Sequence, residues 1–525
     1  MHTGRANRAR PWYDVRSMGP DTEQIVREDG RVEISPEIEL EGSSLYSEDL
    51  APTPIAKRTW TTYTYAALWI SMAHCIPTYM LAAGLIKAGM NWWQALVTIL
   101  VGNVIVLAPI LLNSHPGTKY GIPFPVFARA AYGVNGANVP AVMRALVACG
   151  WFGINAWIGG KALHTFFKSL YPGWATLLGS APAACKAGEP CSTFRWLVSG
   201  HSATEYVAFM LFWALNILIV YRGMELVRKV ENLAAPYVLV MTAVLVAWAV
   251  WKAKGLGAVM HDQGKFQSFG SFWAIFVPSV TAMIGFWSTL SLNMPDFTRY
   301  GRSQREQAVG QVVALPTTMT VFAAMGVVIT SASHEIYGEA IWDPVDLVGR
   351  FESRVLVAVS MFTVVVATLG VNIAANVVSP ANDFANLSPK HISFKTGGLI
   401  TGIVGIVMLP WKLQEDPDGY IYKWLLGYSG GLGSIGGVLI ADYWIVRRKE
   451  LRLADLYRRD GVYGKDPGGV SVPAIVATLA GCILSWIGTV VPALKGLFDY
   501  AWFVGAFVSG AVYVGLMRLR SPGKA

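Results

Sequence analysis

Long charge-free stretches dominate the chain. No Asp, Glu, Lys or Arg falls in the 28 residues between Arg58 and Lys87 or in the 31 between Lys87 and Lys119. The same holds for the 30 between Lys265 and Asp296, the 28 between Arg354 and Asp383, and the 28 between Asp466 and Lys495. A helix that crosses a bilayer needs about 20 mainly apolar residues, so each gap holds at least one. Shorter apolar runs bring the prediction to about twelve spans, near 61–86, 92–113, 138–162, 204–221, 233–252, 272–295, 310–332, 354–378, 396–411, 422–446, 471–490 and 498–517. Barrel strands would alternate polar and apolar over about ten residues, and these runs do not. The fold class expected is an all-α polytopic membrane protein.

Composition excludes the soluble alternative. The 525 residues are 54% hydrophobic and only 14% charged, with a mean hydropathy of +0.43. A soluble domain carries about 25% charged residues, and a chain this poor in charge cannot coat several soluble cores. Residues 1–58 differ: they are rich in both acids and bases, poor in large apolar side chains, and lack the apolar core of a secretory signal. They are predicted to form a flexible cytoplasmic tail. Lys and Arg favour the loops on one side, above all the loop from Arg447, Arg448 and Lys449 to Lys465. That bias places both termini, including the short tail 518–525, in the cytoplasm of a cell-membrane protein.

The net charge of +9 follows from this bias and from contact with an anionic lipid bilayer. Basic residues scattered over many loops speak against nucleic acid. Of the five cysteines, Cys75, Cys149 and Cys482 fall in spans, where thiols pack as small apolar groups. Cys185 and Cys191 share a loop predicted to face outward, where a disulfide is one option and two free thiols the other. No metal-ligand spacing, Walker loop, nucleophile elbow or dinucleotide fingerprint occurs. The expectation is a protein without a cofactor and without enzymatic activity.

Several spans carry residues that lipid anchors avoid. The first reads Ala73-His74-Cys75-Ile76-Pro77, and Pro77 should free backbone carbonyls near Ala73 and His74. The sixth reads Ile284-Gly285-Phe286-Trp287 and ends at Pro295-Asp296, with Gly285 permitting local unwinding. Two interrupted spans, each opening one half of the chain, point to a transporter built from inverted repeats. The halves would be 59–250 and 266–446, followed by two further spans over 470–517. Two ordinary kinks are the plain alternative.

Trp151 and Asn155 on the third span lie four residues apart, as do Asn372 and Asn376 on the eighth, so each pair shares a helix face. An indole plane beside carboxamides suits a flat, uncharged heterocycle with N–H and C=O edges. Stacking supplies about 0.5–1.5 kcal/mol beyond burial. A mismatched amide left unsatisfied costs about 1–3 kcal/mol, so the amides supply selectivity. Taken singly, each of these residues also fits a plainer role, with Trp marking the membrane border and Asn joining helices.

Longer motifs carry a resemblance. They are Gly121-Ile122-Pro123-Phe124-Pro125-Val126-Phe127-Ala128-Arg129-Ala130, Trp151-Phe152-Gly153 through Trp157-Ile158-Gly159, Pro295-Asp296-Phe297-Thr298-Arg299-Tyr300, Asn372 through Pro380, and Ala441-Asp442-Tyr443-Trp444. In this order, from about residue 55 to 465, the chain resembles nucleobase:cation symporter family 1. That resemblance implies the leucine-transporter fold, with ten core helices in two inverted five-helix repeats plus two more. It implies a substrate site at Trp151, Asn155, Phe286, Trp287 and Asn376, with Asn155 standing where the bacterial hydantoin permease has Gln.

It also maps the cation site of sodium-coupled members onto Ser71, His74, Ala367, Gly370 and Val371. The two adjacent hydroxyls of that site are missing, because Gly370 and Val371 stand there. Sodium binds hard oxygens, so proton coupling is expected. His74 is the first candidate carrier, because imidazole titrates near neutrality, with a neutral packing role as its alternative. Asp296 is the second, with helix capping and pairing to Arg299 or Arg302 as its alternative. The function expected is a secondary active symporter that imports a small planar heterocycle of the uracil, allantoin or hydantoin type. A sodium-coupled importer of purines, cytosine or another small amphipathic solute is the alternative.

Overall fold

The computed structural model describes residues 23–182, 192–198, 200–222, 224–255, 264–266, 268–339, 341, 343–413 and 424–520. The possible Cys185–Cys191 pair lies outside these. Cys75, Cys149 and Cys482 are buried free thiols.

A short antiparallel ribbon comes first, β1 (Gln24–Val26) with β2 (Val32–Ile34). The helices follow: α1 (Thr62–Ala73), α2 (Ile76–Lys87), α3 (Trp92–Tyr120), α4 (Phe124–Tyr132), α5 (Asn138–Leu170), α6 (Ala203–Tyr221), α7 (Met224–Lys252) and α8 (Phe269–Asn293). After them come α9 (Gln304–Tyr337), α10 (Arg354–Asn376), α11 (Val378–Leu387), α12 (Phe394–Val407), α13 (Leu426–Ile440), α14 (Val472–Trp486) and α15 (Ala501–Arg520). Among the described residues, nine helical stretches are long and apolar enough to cross a membrane, and α1 with α2 forms one further, bent span. The apolar end of α7 and the shorter α12 occupy the two remaining predicted spans.

The first span breaks where expected, though not in the manner expected. Cys75 is extended, and α1 and α2 meet at 58°. Pro77 lies in the first turn of α2, where its missing N–H costs nothing. The Ala73 carbonyl is not freed. It accepts the Cys75 N–H at 3.0 Å and the Thr78 hydroxyl at 2.8 Å.

The sixth span corrects the sequence reading. α8 runs unbroken through Gly285. The glycine instead allows close helix approach, since a Cβ there would lie 2.8 Å from the Leu425 carbonyl oxygen. Its carbonyl accepts the Tyr428 hydroxyl at 2.9 Å.

α5 packs along α10, α8 and α9 along α3, α9 along α1, and α13 against both α15 and α8. α1, α5, α8, α10 and α13 thereby surround one buried core.

Residues 23–58 also depart from the expected flexible tail. They form a strap. Val32, Leu45 and Leu50 are buried against the segment 451–463, and the Leu50 carbonyl accepts the Tyr457 hydroxyl at 2.7 Å. Arg58, almost fully buried, donates to the carbonyls of Thr53, Val32 and Thr118. Burial pulls its guanidinium down to about 10, which leaves it charged at neutral pH. A few well-spaced leucines and one buried arginine outweigh the polar average of the segment. At the other end of the chain, Arg520 pairs with Asp466 in the loop before α14.

Candidate functional site

Two side chains of α5 start the site. Trp151 and Asn155, one turn apart, are 5% and 2% exposed. Asn155 Nδ2 donates to the Trp151 carbonyl at 3.1 Å, while its Oδ1 has no partner among the described residues. Trp151 Nε1 donates to Tyr428 Oη at 3.2 Å, and Tyr428 in turn donates to the Gly285 carbonyl. One hydrogen-bonded line thus ties α5 to α13 and α8.

The rings continue the line. Trp151 meets Phe286 edge-on, with centroids 5.2 Å apart. Phe286 meets Trp287 at 4.9 Å, and Trp287 meets Trp69 of α1 at 5.1 Å, both near 85°. Edge-to-face contacts of this kind satisfy the ring quadrupoles. The indole N–H groups of Trp69 and Trp287 are buried without an acceptor among the described residues.

The end of α10 reaches the same place. Asn372 Nδ2 donates to the Phe152 carbonyl at 3.3 Å, and Asn376 Nδ2 donates to Asn372 Oδ1 at 3.1 Å. Asn376 is the last residue of α10 before the chain turns into α11.

Trp151, Asn155, Phe286, Trp287 and Asn376 are therefore linked around one buried box. Three orphaned polar atoms remain in it: two indole donors and one amide acceptor. Each such group costs about 1–3 kcal/mol when left unmade. A guest with both C=O and N–H edges relieves these costs, and the rings cover its faces. Trp69 and Tyr428 belong to the box but were absent from the sequence-based set. Trp69 had left a signal, a tryptophan at the centre of an apolar run rather than at its border.

The expected cation residues fall in α1, in its C-terminal cap and in α10. His74 and Ala367 line a small cavity with Tyr79, Thr242, Ser360, Thr363 and Thr368. Its volume is about 60 Å³, room for several waters. His74 Nε2 bonds the Thr242 hydroxyl and lies 3.3 Å from the Tyr79 hydroxyl. Its Nδ1 is buried without a partner among the described residues, and its ring meets Phe322 edge-on at 4.5 Å. Ser71, Gly370 and Val371 are buried in α1 and α10 but do not line this cavity.

Asp296 caps α4, its Oδ1 accepting the Phe124 N–H at 3.0 Å. The expected ion pairs with Arg299 and Arg302 are not formed. Arg299 is spent on Thr53 and on the carbonyls of Asp49 and Ala51 in the strap. Arg302 pairs with Glu306.

Relatives share this architecture. The chain is 41% identical over 489 residues to an allantoin permease of Bacillus subtilis (strain 168), covering 93% of this chain and 96% of that protein. It is 39% identical over 481 residues to the purine-uracil permease NCS1 of Arabidopsis thaliana, covering 90% and 77%. Among solved structures, it superposes with a TM-score of 0.72 and 24% identity on Mhp1, a nucleobase-cation-symport-1 family transporter, in a closed conformation with bromovinylhydantoin bound. That match covers 91% of this chain and 96% of Mhp1, and it establishes the leucine-transporter fold for this chain. A family model described as permease for cytosine/purines, uracil, thiamine, allantoin matches residues 52–505. The chain therefore belongs to that permease family, nucleobase:cation symporter family 1, and is a membrane transporter rather than an enzyme.

Proposed function

We propose that this permease imports a small planar lactam-like heterocycle, of the allantoin, uracil or hydantoin type, across the cell membrane in symport with protons. Both termini and the strap face the cytoplasm in this reading. The observation that carries the substrate class is the ring box with its orphaned indole donors and amide acceptor. The names of the allantoin and purine-uracil permeases, and the hydantoin bound to Mhp1, support the same chemistry. Trp151 and Trp287 contact the faces of the guest and Asn155 and Asn376 its edge, and the repeat units rock about them to alternate access.

Binding is tested by quenching of tryptophan fluorescence across a panel of such heterocycles. Trp287→Ala should weaken binding of the best quencher about tenfold or more, because both the ring contact and the box wall are lost, while Trp287→Phe should lose far less. Equal losses would remove the indole face from the site.

The proton reading rests on three features. No hydroxyl stands at Gly370 or Val371, the Ala73 carbonyl is occupied, and an imidazole fills the break of the first span beside a small cavity. Each charge moved down the membrane potential contributes about 2.3 kcal/mol per 100 mV. In proteoliposomes, an imposed pH gradient should drive accumulation and a sodium gradient of equal size should not. A strict sodium requirement would overturn proton coupling and leave the heterocycle assignment standing.

A further inference from the structure

Tyr428 belongs to the ring box but carries none of its unmet polar atoms. Its hydroxyl is used twice, accepting the Trp151 Nε1 hydrogen at 3.2 Å and donating to the Gly285 carbonyl at 2.9 Å. One oxygen on α13 therefore touches both walls of the box. Trp151 stands on α5, and Gly285 on α8 directly precedes Phe286 and Trp287.

Two glycines make this reach possible. A Cβ at Gly285 would lie 2.8 Å from the Leu425 carbonyl oxygen and 3.3 Å from Ser429 Cβ, and one at Gly150 would lie 2.7 Å from the Trp424 ring. Each glycine stands immediately before an aromatic residue of the box, so α13 and the turn before it come close to α5 and α8 at the level of the rings. Trp424 meets the Tyr428 ring edge-on at 5.3 Å and limits the swing of the phenol.

The three indoles therefore differ. Those of Trp69 and Trp287 are donors without an acceptor among the described residues, whereas that of Trp151 is bonded to Tyr428. The N–H lies in the ring plane at one edge, so a hydrogen bond to it fixes how the indole is turned about its side-chain bonds. The plane of Trp151 is thus set before a guest arrives, and the second bond of the same hydroxyl sets its distance from Phe286 and Trp287. Walls arranged in advance avoid the ordering cost that a mobile ring would add to binding.

We propose that Tyr428 is a positioning residue for the heterocycle. Through one hydroxyl it holds the Trp151 ring at a fixed angle and a fixed distance from Phe286 and Trp287, and it does not bond the guest itself. This role rests on the heterocycle reading above, whereas the bond to the Trp151 indole does not, and two measurements keep them apart. The first contains no substrate. In the full chain carrying nitrogen-15-labelled tryptophan, in detergent micelles, the indole resonance that vanishes in Trp151→Phe should lie downfield in the wild type and move upfield in Tyr428→Phe. A Trp151 resonance that does not move overturns the proposal. So does one that already lies, in the wild type, among indoles free of an acceptor, a result that decides even if the Tyr428 variant fails to fold.

The second is a double-mutant cycle, read by calorimetry with the heterocycle that best quenches wild-type fluorescence. Tyr428→Phe should weaken binding about fivefold in the wild type but only about twofold in Trp151→Phe, where the Gly285 bond alone is left to lose. An equal loss in both backgrounds overturns the proposal, because a phenol that bonded the guest directly, or merely joined helices, would act independently of the indole nitrogen. If no heterocycle binds the wild-type protein, the heterocycle reading fails and this role with it. Binding without coupling between the two residues overturns the role alone.

Discussion

Asn376→Ala is expected to abolish uptake while the protein remains folded in the membrane. Asn376 ends α10, and its amide nitrogen is held by Asn372 Oδ1, itself fixed through Asn372 Nδ2 to the Phe152 carbonyl. The carboxamide is thus pre-set before a guest arrives, so no ordering cost is incurred on binding. The ring box to which Asn372 links it through the Phe152 carbonyl holds three polar atoms with no partner among the described residues. Alanine would delete the edge contact and strand the matching polar group of the guest. A buried group left unpaired costs about 1–3 kcal/mol. The donor to Asn372 is lost as well, so the two losses together should lower initial uptake by about 30-fold or more. The check is initial-rate uptake of the heterocycle that best quenches wild-type fluorescence, normalised to the amount of folded protein in the membrane. Unchanged uptake would take this carboxamide out of the site.

Much of this was readable from the chain because the bilayer makes strong demands. A spanning helix must be apolar for about 20 residues, so charge-free gaps marked the spans even where boundaries were blurred. Polar side chains at mid-span are equally conspicuous, and Trp151, Asn155 and Asn376 stood out for that reason.

What escaped notice was decided by packing. Gly285 looked like a place to unwind, yet its missing Cβ serves the approach of Leu425. Composition cannot distinguish those two uses of glycine. The strap was hidden because its polar average conceals a few leucines whose partners lie some four hundred residues downstream. Asp296 looked free to meet Arg299, but that guanidinium is taken by carbonyls of the same strap. One missed tertiary contact therefore displaced a second expectation.

The largest loss of stability should come from Asp442→Ala. Asp442 is 1% exposed and sits at the start of a π-helical turn, Ala441–Val446, that continues α13. Its Oδ2 accepts from Arg447 Nε at 2.7 Å, and its Oδ1 accepts the Tyr513 hydroxyl of α15 at 2.7 Å. Arg447 also donates to the Ala130 carbonyl at 2.6 Å and lies over the Tyr463 ring. One carboxylate thus joins α13, α15, α4 and the segment that holds the strap. Removing it takes the Asp442 carboxylate from a buried guanidinium and the acceptor from a buried phenol. Breaking one side of a buried ion pair costs about 3–5 kcal/mol. Arg302→Ala, which breaks an exposed pair, should barely move the unfolding temperature, because solvent screens such contacts. Thermal unfolding in detergent compares the two. If Asp442→Ala unfolds no earlier than Arg302→Ala, the turn is held by apolar packing alone and the Asp442–Arg447–Tyr513 cluster contributes nothing to the stability of the fold.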